Sequence, residues 1–204
     1  MLLLTFIVAV IVSFLGYIPL GNINLTAMQL SINKNVKHAI IFISTFSVFE
    51  AFFTYIIMRF AAWFAEKESV LQLLNWVLII VFIVLGILTW RKTKQSNPKQ
   101  QNYSKAASIR TGIILGIFNP IQIPFWAIVG TYLIGHGWIV SQGIGLPLFA
   151  LGSGVGAFAC LYLYAHFAKF IQEKFSLSSK RINHGIAIVF FALAIISLIR
   201  QFYN

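Results

Sequence analysis

Residues 111–168 contain no Asp, Glu, Lys or Arg, and residues 1–33, 70–90 and 182–199 are equally free of these side chains. A helix needs roughly 20 mostly apolar residues to cross about 30 Å of hydrocarbon, so each run is long enough to be a span. Soluble domains carry about a quarter of their residues as charges, whereas this chain has 9% charged and 59% hydrophobic residues and a mean hydropathy of +0.88. Lipid offers no hydrogen-bond partners, so a segment inside it must satisfy its own backbone groups. The chain is therefore expected to be an all-α polytopic membrane protein.

Six transmembrane helices account for the pattern, over about 2–33 (with a break), 39–58, 70–90, 111–134, 146–168 and 182–199. Residues 111–168 hold two of them, because Gly135–Gly145, GHGWIVSQGIG, is too rich in glycine and polar residues to continue a helix. The apolar N-terminal stretch has no Lys or Arg ahead of it and no small-residue cleavage site behind it. It is read as a retained first span.

The formal net charge of +11 could point to nucleic acid, but the positive residues lie between the apolar runs, where orientation signals belong. Loops one, three and five carry twelve Lys and Arg residues, and the opposite side carries three: Arg59, Lys67 and Arg200. That asymmetry puts the odd loops in the cytoplasm and both termini outside. The lone Cys160 leaves no disulfide, no paired-thiol chemistry and no Cys-based zinc site. No metal site and no cofactor are expected.

The basic, Gln- and Asn-rich stretch 91–110 reads as a linker between residues 1–90 and residues 111–204. Each part holds three spans, an odd number, so two related parts would enter the membrane in opposite directions. Two inverted three-helix repeats of this kind are a common plan of secondary transporters. Each part opens with a broken span: Pro19-Leu20-Gly21-Asn22 in the first, and Asn119-Pro120-Ile121-Gln122 with Pro124 in the fourth. Proline removes a backbone donor and clashes with the preceding turn. Freed carbonyls and the N–H groups of a restarted helix can hold cations and carboxylates respectively. A proline kink used only for packing is the alternative at either position.

After the first break, Asn22, Thr26, Gln29 and Asn33 recur on one helical face, which is expected to border protein or a water-filled path rather than lipid. Hydrogen bonding that only holds the bundle together is the alternative. Glu50 is the one acidic residue within any expected span, near the middle of the second, with Ser44, Ser47 and Thr54 on its side of the helical wheel. Ionisable groups at such depth usually mark ion or substrate pathways, and a carboxyl there suits a group that loads and releases a proton; a structural Glu paired with a neighbouring helix is the other reading. Gly152 and Gly156 form a GxxxG pair in the fifth span, read as a packing device. The candidate substrate-binding residues are thus Gly21, Asn22, Thr26, Gln29, Asn119, Pro120 and Gln122, with Glu50 for proton coupling.

These residues resemble the lysine-exporter (LysE-type) translocator family. Leu20–Leu25, LGNINL, aligns with that family's Pro-Gly-Pro-Asn-like motif, the same ungapped register brings Glu50 onto its acidic position, and Thr111–Gly130 fits its fourth-span pattern. Leu20 and Asn22 stand where the motif has prolines, Phe49 where a glycine precedes the acid, and Ile121 where a lysine follows Asn-Pro. The resemblance implies proton-driven export of amino acids or similar small polar metabolites across a bacterial inner membrane. It implies a small polar solute as partner; composition gives the lipid bilayer, the placement of the charges argues against nucleic acid, and a homo-oligomer is left open. Two other classes remain: a membrane scaffold without transport, and an intramembrane serine protease using Ser153 with His184 as base.

Overall fold

The computed structural model describes residues 1–19, 21–65, 104–119 and 122–175, with scattered positions between 76 and 91 and between 187 and 199. The described elements are α1 (Leu2–Gly16), α2 (Asn22–Asn33), α3 (Val36–Ala65), α4 (Lys105–Ile117), α5 (Gln122–Gly135), α6 (Gly145–His166) and α7 (Ala168–Phe175). All are helical. Val36–Trp63 and Gly145–His166 are each long and apolar enough to cross a membrane. The α4–α5 pair, bent by 53° at its break, passes the same test together, while α1 is a shorter apolar helix. The expected third and sixth spans fall largely outside the described residues, but the described positions within them are helical, and Gly86 faces the ring of Phe191.

Both expected breaks are present. The first helix stops at Gly16, ahead of Pro19, with Tyr17 still near helical dihedrals and its N–H bonded to the Ser13 and Phe14 carbonyls. The second helix then starts after Gly21, extended at φ −120°. The second break follows Ile117, where Phe118 bonds back to Ile114 and the helix restarts at Gln122. A sequence of helix, break, helix and long helix therefore occurs twice among the described residues. Side chains close two starts: Ser104 Oγ accepts from Ala107 N–H at 3.1 Å before α4, and Asn35 Oδ1 accepts from His38 N–H at 3.1 Å before α3. The turn between α5 and α6 uses Gly137 and Gly143 at φ 66° and 56°, which a side chain would oppose.

Glycine sets the packing around α3 and α6. A Cβ on Gly152 would come within 2.6 Å of the Phe6 carbonyl of α1, and one on Gly156 within 2.9 Å of Ser13 Cβ. The α1 face they meet is Thr5, Ala9 and Ser13, so small residues on both helices let the backbones approach. Ser13 Oγ adds a 2.7 Å hydrogen bond to the Ser153 carbonyl. A Cβ on Gly154, on another face of α6, would come within 2.9 Å of the Ser47 carbonyl of α3, one on Gly112 of α4 within 2.9 Å of the Phe42 carbonyl, and one on Gly130 of α5 would run into Met58. Thus α3 is enclosed by α2, α4, α5 and α6.

The outer surface is apolar, and polar side chains join an otherwise apolar interior. Thr5, Ser13, Asn24, Ser47, Glu50, Thr54, Gln122 and Ser153 are buried, while Ile7, Ile11, Val48, Phe52, Phe60, Leu151 and Val155 lie on the outside. Apolar outer faces cost nothing against lipid tails, and polar groups there must turn inward.

Candidate functional site

Glu50 sits in the middle of α3, 1% exposed. Its carboxyl accepts three hydrogen bonds: from Tyr17 Oη to Oε2 at 2.6 Å, from Trp126 Nε1 to Oε1 at 2.9 Å, and from Thr54 Oγ1 to Oε1 at 3.5 Å. Tyr17 belongs to the first break, Trp126 to α5 just past the second, and Thr54 to the next turn of α3. No Lys or Arg occurs in residues 1–33 or 111–168, which supply the partners from other helices. Donors alone, without a counter-charge, therefore meet this carboxyl among the described residues.

The second break reaches the same place by two more bonds. Gln122 Nε2 donates to the Glu50 backbone carbonyl at 3.1 Å, and Asn119 Nδ2 donates to Tyr17 Oη at 3.3 Å. The two interruptions, far apart in sequence, thus meet around one side chain. Aromatic packing holds the donors in place: the Tyr17 ring stands edge-on to Phe46 at 5.7 Å, and Trp126 edge-on to Phe149 at 5.3 Å.

Backbone carbonyls released by the first break are occupied from within the protein. Asn24 Nδ2 donates to the Tyr17 carbonyl at 2.6 Å, and the Tyr164 hydroxyl of α6 donates to that of Ile18. One turn before Glu50, Ser47 Oγ is the buried side-chain polar atom that lacks a hydrogen-bond partner among the described residues.

Of the sequence-expected residues, Glu50, Asn119 and Gln122 are brought together. Gly21 borders the first break, half-buried, and a Cβ there would meet nothing closer than Asn24 Oδ1 at 3.8 Å, so space remains beside it. Asn22, Thr26, Gln29 and Asn33 lie on the less buried side of α2, which turns Asn24, Ala27, Met28 and Leu30 inward. Thr26 Oγ1 returns to the Asn22 carbonyl at 2.7 Å. Pro120 lies outside the described residues, as do Leu20, Ile121 and His184. Ser153, fully buried, donates to the Ala150 carbonyl of its own helix at 2.7 Å while its carbonyl receives Ser13, which is a packing role.

Tyr17, Asn24 and Trp126 were not among the sequence candidates. A signal existed for two of them: a lone mid-membrane carboxyl needs donors, and the phenol two residues before Pro19 and the indole two residues after Pro124 stand beside the breaks. Nothing comparable marks Asn24 over Asn22.

No curated protein and no solved structure matches the chain. The model of the LysE type translocator matches residues 14–201, a stretch that takes in both breaks, Glu50 and all of its partners. With most of its length matched, the chain belongs to the LysE type translocator family, whose members are membrane exporters of small molecules.

Proposed function

We propose that this protein is a secondary transporter that exports amino acids or similar small polar metabolites across a bacterial inner membrane in exchange for protons. Glu50 loads and releases the proton, and the solute passes between the two helix breaks, where Gly21, Asn22, Thr26, Gln29, Asn119, Pro120 and Gln122 take part in binding it. The observation that carries this reading is the convergence of both breaks on Glu50, through Tyr17, Asn119, Gln122 and Trp126.

Several features support it. A buried carboxyl without a counter-charge is costly in a membrane and is usually retained for ion or substrate movement. The Ser47 hydroxyl one turn away, without a hydrogen-bond partner among the described residues, offers a polar group to a water or solute. Recurrence of helix, break, helix and long helix fits two inverted three-span repeats, six spans in all, with alternating access arising between them. The excess of Lys and Arg in odd loops favours a cytoplasmic linker and external termini.

Accumulation of a metabolite panel in cells with and without the protein identifies the solute, and proteoliposomes then test the coupling. Glu50→Gln keeps the side chain's size and much of its hydrogen bonding but cannot titrate. It is expected to abolish flux driven by a proton gradient while the protein remains folded. Unchanged gradient-driven flux in Glu50→Gln vesicles defeats the proposal.

A further inference from the structure

The chain of hydrogen bonds from Asn119 through Tyr17 to Glu50 has a direction. Asn119 Nδ2 donates to Tyr17 Oη at 3.3 Å, and Tyr17 donates onward to Glu50 Oε2 at 2.6 Å. A tyrosine hydroxyl has one hydrogen and can accept as well as donate. It therefore points its hydrogen one way at a time.

A proton arriving on Glu50 forces that direction to reverse. Oε1 faces the indole N–H of Trp126, which cannot accept, and a more distant Thr54 hydroxyl at 3.5 Å. The new O–H on Oε2 instead meets Tyr17 Oη at 2.6 Å, a gap with room for one hydrogen and not two. Glu50 becomes the donor, Tyr17 the acceptor, and the tyrosine hydrogen must turn toward another acceptor. Asn119 can supply one by rotating its carboxamide, in exchange for its present contacts, so that Oδ1, not Nδ2, faces Tyr17. One proton is gained by Glu50, none leaves Tyr17, and both hydrogen bonds change sense.

We infer that Tyr17 is a positioning residue that relays the protonation state of Glu50 to Asn119, so that the second break presents a different hydrogen-bonding face when the carboxyl is loaded. This rests on Glu50 acting as the proton-loading group. It explains why the first break carries a phenol at this point: Phe would fill the same space against Phe46 but could not pass a hydrogen bond on.

Other titratable groups on elements packed against α3 are Tyr132 of α5 and Cys160, Tyr162, Tyr164 and His166 of α6, with Lys105 and Arg110 on the exposed side of α4; α2 carries none. On α3 itself they are Lys37, His38, Tyr55 and Arg59. The hydrogen bonds to the carboxyl come from Tyr17, Trp126 and Thr54 instead, so among the described residues Tyr17 is the titratable group that touches it.

The test uses two reporters in the full chain reconstituted into liposomes. One preparation keeps Trp126 as the only tryptophan, with Trp63, Trp76, Trp90 and Trp138 changed to Phe, and reads its emission against pH. The other carries an environment-sensitive fluorophore on Phe118→Cys in a Cys160→Ala background, beside Asn119 at a position 74% exposed. Both signals are expected to titrate with a common midpoint. In Tyr17→Phe, the Trp126 signal should still titrate while the label's pH response is lost. A label that still titrates with Trp126 in Tyr17→Phe overturns the relay and leaves the role of Glu50 intact. Should Tyr17→Phe fail to fold, Asn119→Leu cuts the same chain from the other end, with the same two outcomes. A Trp126 signal that is flat in the parent protein, or that survives Glu50→Gln, overturns the proton-loading role of Glu50 and the relay with it.

Discussion

The indole N–H of Trp126 lies 2.9 Å from Glu50 Oε1, and both residues are 1% exposed. A hydrogen bond to a charged group contributes about 1.5–3 kcal/mol against about 0.5–1.5 kcal/mol for a neutral pair. Trp126→Phe should therefore destabilise the detergent-solubilised protein by about 1.5–3 kcal/mol when Glu50 is ionised. In a Glu50→Gln background the same substitution should cost roughly 1 kcal/mol less. A double-mutant cycle read from unfolding curves checks this, and additive effects of the two changes would mean that the charge on Glu50 adds nothing to the bond.

Close approach of α1 and α6 rests on Gly152 and Gly156, where a Cβ would meet the Phe6 carbonyl and Ser13 Cβ at 2.6 and 2.9 Å. Overpacking of this kind costs about 1–3 kcal/mol, and backbone on one side leaves little to give way. Gly152→Ala and Gly156→Ala should each lower thermal stability in micelles. Gly135→Ala should not, because nothing lies within 4 Å of its Cβ position. Equal stability of all three variants would contradict the packing.

How far the sequence discloses this arrangement depends on the range of the forces involved. Pro19 and Asn119-Pro120 act on their own backbone, so the two breaks are legible, although the first begins at Tyr17 rather than at the proline. Glu50 is legible because a lone carboxyl in an apolar run must find polar partners inside the bundle, whether its role is structural or functional. Which donors reach it is not, since Tyr17 and Trp126 are chosen by how the helices pack over long sequence separations. The polar stripe of α2 shows the same limit: periodicity puts Asn22, Thr26, Gln29 and Asn33 on one face, but the small and apolar Ala27 and Leu30 decide which face turns inward. The glycines of α6 were legible as packing devices, but not that Gly154 serves α3 while its neighbours serve α1.

Topology can be tested without a known solute. Cysteine introduced at Ser96, in a Cys160→Ala background, should react with an impermeant maleimide only after cells are permeabilised. The ground is the twelve-to-three distribution of Lys and Arg between odd loops and the opposite side. Labelling from outside intact cells would reverse the orientation of the whole chain.

Asn119 and Asn22 flank the two breaks but differ in surroundings, and that difference separates two contributions to transport. The amide of Asn119 is tied to Tyr17 and, through it, to Glu50, whereas Asn22 is exposed at the start of α2 with its carbonyl receiving Thr26. Polar backbone at membrane depth is tolerated where it borders protein or a water-filled path, and on the proposed route between the breaks a solute passes both residues. Asn119→Leu removes a link in the chain to Glu50, the proposed proton-loading group, and should reduce flux at saturating solute. Asn22→Leu leaves that chain intact and should act mainly on the apparent affinity, raising KM with little change in kcat, as loss of binding without loss of the driving step does. Flux assays in proteoliposomes, with circular dichroism to show that each variant is folded, separate the two. Normal transport by both variants would remove the breaks from the solute path, and loss of folding in both would make these asparagines part of the bundle's packing instead.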